Sequence, residues 1–353
     1  MQFKIRIFII FLGVASLASP QLSNAQTDKF KITPVFGVVY TKETQLGAIA
    51  GFNGEYENGH INVGTLITTN LSASGHITGI HYSCSDKFIT KYYAGYNRTP
   101  LYFWGIGYEN NINNSNRSTF LENGVNVRLD LLHQQTKTIN YGVSLGYNYF
   151  DGSKFSDPSL IEAHISRSSA ANIGALFDYD NRNSSYSPTK GIHISFEQFL
   201  YKETTPNTKP YYKTTIITDL FLPLWKNGVL AFDIFGESNY GNTNWTSWSD
   251  FGGENRMRGY YRGRYRDRNI ISAQMELRIL FEKDKPFDWG HGPVAWVGAG
   301  NIFNNIQSFD IKNSLPTYGL GYRVLIATSM FRFDFGFGTK GNFGVYAGIN
   351  QAF

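Results

Sequence analysis

Apolar and polar residues alternate along this chain with a period of two, in stretches of about ten residues, which is the pattern of extended backbone whose two faces meet different surroundings. Phe331, Phe333, Phe335 and Phe337 alternate with Arg332, Asp334, Gly336 and Gly338. Ile271, Ala273, Met275, Leu277, Ile279 and Phe281 alternate with Ser272, Gln274, Glu276 and Arg278. Ile139, Tyr141, Val143, Leu145, Tyr147 and Tyr149 stand against Asn140, Gly142, Ser144, Gly146 and Asn148. The same alternation recurs over 125–131, 173–179, 192–196 and 345–353. It predicts strands near 33–41, 45–56, 60–70, 74–83, 86–95, 117–132, 138–150, 168–179, 189–201, 210–222, 227–240, 269–281, 292–301, 317–325, 329–338 and 342–353. Leu101 to Tyr108 reads equally as strand or as loop.

The chemistry of the polar faces separates two kinds of sheet. They carry Arg128, Asp130, Asp178, Asp180, Glu197, Glu276, Arg278, Arg332 and Asp334, charges of both signs. A soluble sandwich would turn its apolar faces inward and use strands of about five or six residues. Longer strands, with glycines and charges on one face only, suit the inverse arrangement: apolar side chains toward lipid and polar ones toward a wet or plugged lumen. The expected fold class is therefore all-β, a 16-stranded antiparallel transmembrane β-barrel.

Composition supports this. The chain is 42% hydrophobic, 16% aromatic and 17% charged, with 36 glycines, and its mean hydropathy is only -0.28. Its longest apolar run, Ile7 to Ala15, is well short of the ~18 residues a spanning helix needs. A single cysteine, Cys84, excludes a disulfide scaffold or a cysteine-built metal site. The formal charge of +5 is too weak an excess to indicate a partner.

Residues 1–25 combine a basic start (Lys4, Arg6), an apolar centre and small residues at Ser23 and Ala25, the layout of a secretory signal peptide. Residues 26–353 are then expected to form one barrel domain. At roughly 20 residues per strand with its connection, that length accommodates about 16 strands. An even number puts both ends on the periplasmic side and the long segment from Gly241 to Arg268 on the extracellular side.

Three stretches carry more than strand chemistry. The first, Phe177 to Gly191, is a strand end and a turn rich in Asn, Ser, Pro188 and Gly191. The second, Phe251 to Asn269, holds Arg256, Arg258, Arg262, Arg264, Arg266 and Arg268. Interleaved Arg, Gly and Tyr also suit single-stranded nucleic acid, but an exported segment between two barrel strands does not meet it, and no nucleic-acid partner is expected. A solvated loop touching anionic lipopolysaccharide is a second reading. The third is a loop folded inward to plug a lumen too wide for its own side chains. An arginine inside would need acidic wall partners, because an unpaired buried charge is costly, and Glu276 and Asp334 face inward on neighbouring strands. The third stretch is the pair Tyr318 to Arg323 and Met330 to Gly338.

These residues also carry a resemblance. GGENRMRGYY, with Gly253, Arg256, Arg258, Gly259 and Tyr260, resembles the signature loop of the BamA/TamA outer-membrane assembly superfamily (bacterial surface antigen family). The strand-turn segment matches that group through Asp178, Asp180, Arg182, Pro188 and Gly191, and the later strands through Glu276, Arg278, Arg332 and Asp334. Gly348 and the aromatic Phe353 match its terminal assembly signal, apart from polar Gln351. The resemblance implies a barrel plugged by its Arg-Gly-aromatic tip, with the charged wall residues as its partners. It implies residence in the bacterial outer membrane, contact with lipid and lipopolysaccharide, and unfolded outer-membrane or secreted polypeptides as clients. Members usually carry periplasmic POTRA domains of ~75 residues, for which 26–353 leaves no room; a separate periplasmic partner would replace them.

Bond chemistry is not suggested. The seven histidines are scattered, none in a recognisable spacing with a nucleophile or a third metal ligand, and the glycines fall inside strands rather than in a phosphate cradle. No enzyme activity, cofactor or metal is expected. The function implied is insertion of outer-membrane proteins or translocation of polypeptide; the alternative is a gated or passive pore for small solutes.

Overall fold

Sixteen strands alternate up and down and close on themselves in a computed structural model, which describes residues 30–353 apart from 42–43, 86, 158–165, 205–208, 244, 249, 282–288 and 327–328. The expected signal peptide, 1–25, lies outside the described residues. In chain order the strands are β1 (Phe30–Thr41), β2 (Gln45–Tyr56), β3 (Gly59–Thr68), β4 (Ala73–Tyr82), β5 (Phe88–Phe103), β6 (Ser118–Gln134), β7 (Ile139–Ser153) and β8 (Arg167–Asp180). They continue as β9 (Gly191–Glu203), β10 (Tyr211–Trp225), β11 (Gly228–Gly241), β12 (Asn269–Ile279), β13 (Trp289–Phe303), β14 (Leu315–Ile326), β15 (Ser329–Gly338) and β16 (Phe343–Ile349). Every neighbouring pair is antiparallel, and β16 returns to β1. Away from the β1–β16 seam, closure gives the backbone N–H and C=O groups partners within the sheet, which a chain crossing lipid requires.

The alternation read from the sequence is the inside-out one. On β15, Phe333, Phe335 and Phe337 are exposed on the outer face, while Arg332 and Asp334 are buried in the lumen. On β7, Tyr141, Val143, Leu145 and Tyr147 face out, and Ser144 is fully buried. β12 does the same with Ile271 and Met275 outside and Ser272, Gln274, Glu276 and Arg278 inside.

The largest departures from the sequence reading are at β5 and β16. Leu101, Tyr102 and Phe103 extend β5, and the residues after them form a loop with a short helix α1 (Tyr108–Ile112). Phe103 is drawn inward because it packs on Phe120 and Trp245. The last strand, expected to run over 342–353, stops at Ile349. Asn350 has φ 74°, a left-handed conformation that Asn tolerates better than most residues, and the chain leaves the sheet there.

Candidate functional site

The segment from β11 to β12 folds into the lumen as a plug with its own small core. Phe251 and Tyr265 form a bridge, and Phe251, Tyr260 and Tyr265 meet edge to face with centroids 5.5–5.9 Å apart. Ile270, Ile302 and Leu315 complete the cluster from the wall. The loop before β6 braces it: Gly107 N–H donates to the Arg266 carbonyl (2.9 Å), and Arg266 N–H donates to Asn111 Oδ1 (2.9 Å). At the outer end Asp250 accepts from Arg266 and lies 3.2 Å from Arg262. Burial pushes the Asp250 carboxyl up, but Arg266 and Arg262 outweigh it and hold the group below its ordinary range.

The plug tip is Arg258, Gly259 and Tyr260. The fully buried Arg258 guanidinium donates to Asp334 Oδ2 (2.7 Å) and to Glu276, and its central carbon lies over the Trp296 ring, 3.6 Å from its centroid. A guanidinium can hold two carboxylates on two different nitrogens while its carbon lies over an aromatic ring, which a compact ammonium does less well. Gly259 is required by geometry: its φ is +107°, and a Cβ there would sit 2.7 Å from the Phe337 backbone. Gly336 on the facing wall is equally constrained, since its Cβ would lie 2.6 Å from the Arg258 carbonyl carbon. Gly259 N–H donates to the Tyr346 hydroxyl (3.0 Å), Thr317 Oγ1 donates to the Arg258 carbonyl (2.5 Å), and Tyr260 OH donates to the Pro316 carbonyl (2.6 Å).

The charges extend along the wall. Arg278 donates to Glu276 Oε1 (2.7 Å), Arg323 to Asp334 Oδ1 (2.6 Å), and Arg332 to Glu254 Oε2 and Asn255 Oδ1 (3.3 Å each). Arg256 grips Asp233 through Nε and Nη2 (2.8–3.0 Å) with its guanidinium over Phe235. Polar cavities flank the plug. One of about 410 Å³ lies toward the end of the barrel that carries the 242–268 loop, between Asn97, Asn126, Tyr211 and Trp248. One of about 290 Å³ lies toward the opposite end, between Arg182, His193 and Arg256.

The seam is the second unusual place. β1 pairs with β2 along its whole length, but with β16 only at Tyr40 and Ala347 among the described residues. From Phe30 to Val38 the other edge of β1 has no strand partner among the described residues. Pro34, which has no N–H to give, belongs in such an edge. Phe30, Ile32 and Phe36 are 48–64% exposed on it.

A family model, the Omp85 superfamily domain, matches residues 54–353. The chain belongs to the Omp85 superfamily. Its β-barrels reside in the bacterial outer membrane, and its members are non-enzymatic transporters and assembly factors. Among solved structures, the chain resembles BamA from Haemophilus ducreyi lacking POTRA domains 1–3, at 14% identity and a TM-score of 0.64, over 92% of this chain and 70% of that one. It also resembles CdiB from Escherichia coli (11%, TM-score 0.66, 91% and 62%) and CdiB from Acinetobacter baumannii (13%, 0.58, 92% and 60%). The chain therefore spans 60–70% of the length of these structures, and at such identities the likeness is one of fold. No curated protein matches by sequence.

The Omp85 barrel brings most of the residues singled out in the sequence into two places. Arg258 meets Glu276 and Asp334 at the plug tip it shares with Gly259 and Tyr260, Arg278 and Arg332 lie beside the same carboxylates, and Gly253 sits behind the tip with its N–H donating to the Tyr260 carbonyl (3.2 Å). The strand-turn residues lie lower: Asp180 pairs with Arg182 (2.7 Å), Asp178 accepts from His193 (3.0 Å), Pro188 is buried in the turn, and Gly191 (φ +111°) passes 2.7 Å from the Arg182 Cα where a Cβ would be. Gly348 stays in β16 opposite Arg332, but Phe353 is not at the end of an outward-facing strand. It is turned into the lumen against Phe221 and Arg278. Trp296, Thr317 and Tyr346 belong to the site without having been singled out in the sequence, and Arg323, at the end of the stretch 318–323, had no role assigned. Inward-facing Trp296 stands out only as an aromatic on the polar phase of its strand.

Proposed function

We propose that this Omp85 barrel acts on polypeptide in the outer membrane, inserting outer-membrane proteins or translocating chains, with the open edge of β1 as the working surface. The observation that carries the reading is the Phe30 to Val38 edge without a strand partner among the described residues, beside a lumen filled by the plug. Unpaired N–H and C=O groups are costly in lipid, so an extended client segment that pairs with them gains main-chain hydrogen bonds there. The relatives' handling of polypeptide clients supports the same reading. Outer-membrane lipid and lipopolysaccharide are the surroundings this assigns, and delivery of clients by a periplasmic partner fits the same reading.

The test is reconstitution into vesicles followed by addition of an unfolded outer-membrane protein. Faster client folding than in empty vesicles, with cross-links from cysteines at Ile32 or Phe36 to the client, is expected. Client folding at the rate of empty vesicles and no cross-link would refute it. The cavities on either side of the plug favour a second reading, a gated pore for small solutes. Large steady single-channel conductance in the unaltered protein supports that reading; small flickering conductance that grows when 256–266 is deleted supports the first.

A further inference from the structure

The cavity of about 410 Å³ beside the plug has a lining unlike the charged network at the tip. On its wall side, inward asparagines of β6, β7 and β8 are joined in a ladder. Asn172 Nδ2 donates to Asn148 Oδ1 (2.7 Å), and Asn148 Nδ2 donates to Asn126 Oδ1. Strand pairing sets Asn172 opposite Tyr201 and Tyr201 opposite Tyr211, whose rings stack with centroids 4.8 Å apart and planes 4° from parallel. Asn97 Nδ2 donates to Glu122 Oε1 (2.7 Å) at the same cavity. The amides lie over bare backbone: a Cβ at Gly146 would sit 2.7 Å from Asn172 Oδ1, and one at Gly124 would run into Asn97 Oδ1. The plug loop forms the other side with Trp248 and Asp250, and it is tied to the wall where Thr246 Oγ1 meets Ser168 Oγ (2.8 Å).

This lining selects among ligand classes. Its cations are already engaged, Arg262 and Arg266 with Asp250 and Lys213 with Glu237 (3.0 Å), so the cavity is not built for a phosphate or a carboxylate. An extended polypeptide would need an open strand edge, and β6 to β10 are paired with one another on both sides here. What the wall offers instead is carboxamide. Each amide carries two N–H donors and an oxygen with two lone pairs, and the ladder uses one donor or one acceptor per link. Asn126 Nδ2 has no hydrogen-bond partner among the described residues. An occupant that exchanges hydrogen bonds with amides and a carboxylate, and also has C–H surface to lay on aromatic rings, is polyhydroxylated and uncharged. The volume is within the ~300–1,000 Å³ of small-ligand sites.

We propose that this cavity is a binding site for a neutral saccharide. The sugar hydroxyls exchange hydrogen bonds with Asn97, Asn126, Asn148 and Glu122, and its C–H faces meet the rings of Tyr201, Tyr211 and Trp248. The glycan of lipopolysaccharide and a free sugar share this chemistry. The site goes beyond both readings of the lumen, and its test measures binding rather than insertion or conductance.

The experiment is saturation-transfer NMR on the full chain in a detergent without a sugar headgroup. The probes are neutral mono- and disaccharides, oligosaccharide released from lipopolysaccharide of the host membrane, and an unfolded outer-membrane peptide. Saturable transfer to at least one saccharide, with a Kd at or below about 1 mM, is expected. Transfer to the lipopolysaccharide oligosaccharide alone would support the site with the membrane glycan as its ligand, and transfer to the free sugars would support it with a soluble one. Asn126→Ala and Trp248→Ala, one on the wall and one on the loop, should each weaken binding at least about five-fold in barrels whose heat-modifiable gel mobility shows them folded. Asn62→Ala, which removes a lumen amide paired with Asn53 and His76 away from this cavity, should leave it unchanged. No saturable transfer to any saccharide, or transfer to the peptide alone, would overturn the proposal. So would unaltered affinity in both Asn126→Ala and Trp248→Ala, or an equal loss in Asn62→Ala.

Discussion

The charges around the plug tip make an unintuitive ordering of substitutions. Four guanidinium groups, Arg258, Arg278, Arg323 and Arg332, are nearly or fully buried with two fully buried carboxylates, Glu276 and Asp334, and the more exposed Glu254. Cations are in excess, so carboxylates are the scarcer partner. Arg258→Ala removes two charge-assisted hydrogen bonds of about 1.5–3 kcal/mol each and a stacked cation. It leaves Glu276 with Arg278 at 2.7 Å and Asp334 with Arg323 at 2.6 Å, so neither carboxylate is stranded. It also removes one guanidinium from a like-charged group, and the net loss should be about 1–3 kcal/mol, below the 3–5 kcal/mol typical of breaking a buried pair. Asp334→Asn is different. Arg258 and Arg323 then compete for Glu276, already held by Arg278, and the loss should reach the full ~3–5 kcal/mol. The assay is urea unfolding in lipid vesicles, followed by gel mobility and tryptophan fluorescence, with Trp296 against Arg258 as a local reporter. A midpoint lowered more by Arg258→Ala than by Asp334→Asn or Glu276→Gln would refute the reasoning.

Three further outcomes are expected. Gly259→Ala should displace the tip, because the new Cβ meets Phe337 backbone at 2.7 Å in a left-handed conformation; trypsin should then cut near Arg256 and Arg262 in the folded barrel, where the unaltered loop resists. Tyr260→Phe removes the hydroxyl that donates to the Pro316 carbonyl and accepts from Thr339 N–H, and should lower stability by about 1–2 kcal/mol in the same urea assay. The outer end of the plug should be insensitive to mild acid: with the Asp250 pKa held below its ordinary 3.8, its contribution is complete above that pH and is lost only as pH falls through the lowered value. Loop protection from an acid-active protease should therefore be the same at pH 7 and pH 5, and Asp250→Asn should reduce it at both.

The strand plan was legible because lipid imposes the same requirement on every crossing, an apolar outer residue at every second position, and that requirement is local. The boundaries of β2, β12 and β15 follow from it almost residue for residue. It fails where the partner of a residue is another part of the chain. Phe103 extends β5 because Phe120 and Trp245 await it, and Phe353 abandons β16 although its alternation continues, because Arg278 and Phe221 hold it inside.

The charged residues divide in the same way. Alternation alone put Glu276, Arg278, Arg332 and Asp334 on the polar side of their strands, and Gly259 and Tyr260 could be named from the loop motif. Which arginine meets which carboxylate depends on the curvature of a closed sheet, which sets β12 and β15 across from one plug tip although Glu276 and Asp334 are far apart in sequence. That Trp296 lies beneath Arg258, and that Glu276 and Asp334 each serve Arg258 and a wall arginine, cannot be read from neighbouring residues. Period-two patterning is a property of neighbours along the chain; charge pairing in the lumen is a property of neighbours in space, and only barrel closure creates those.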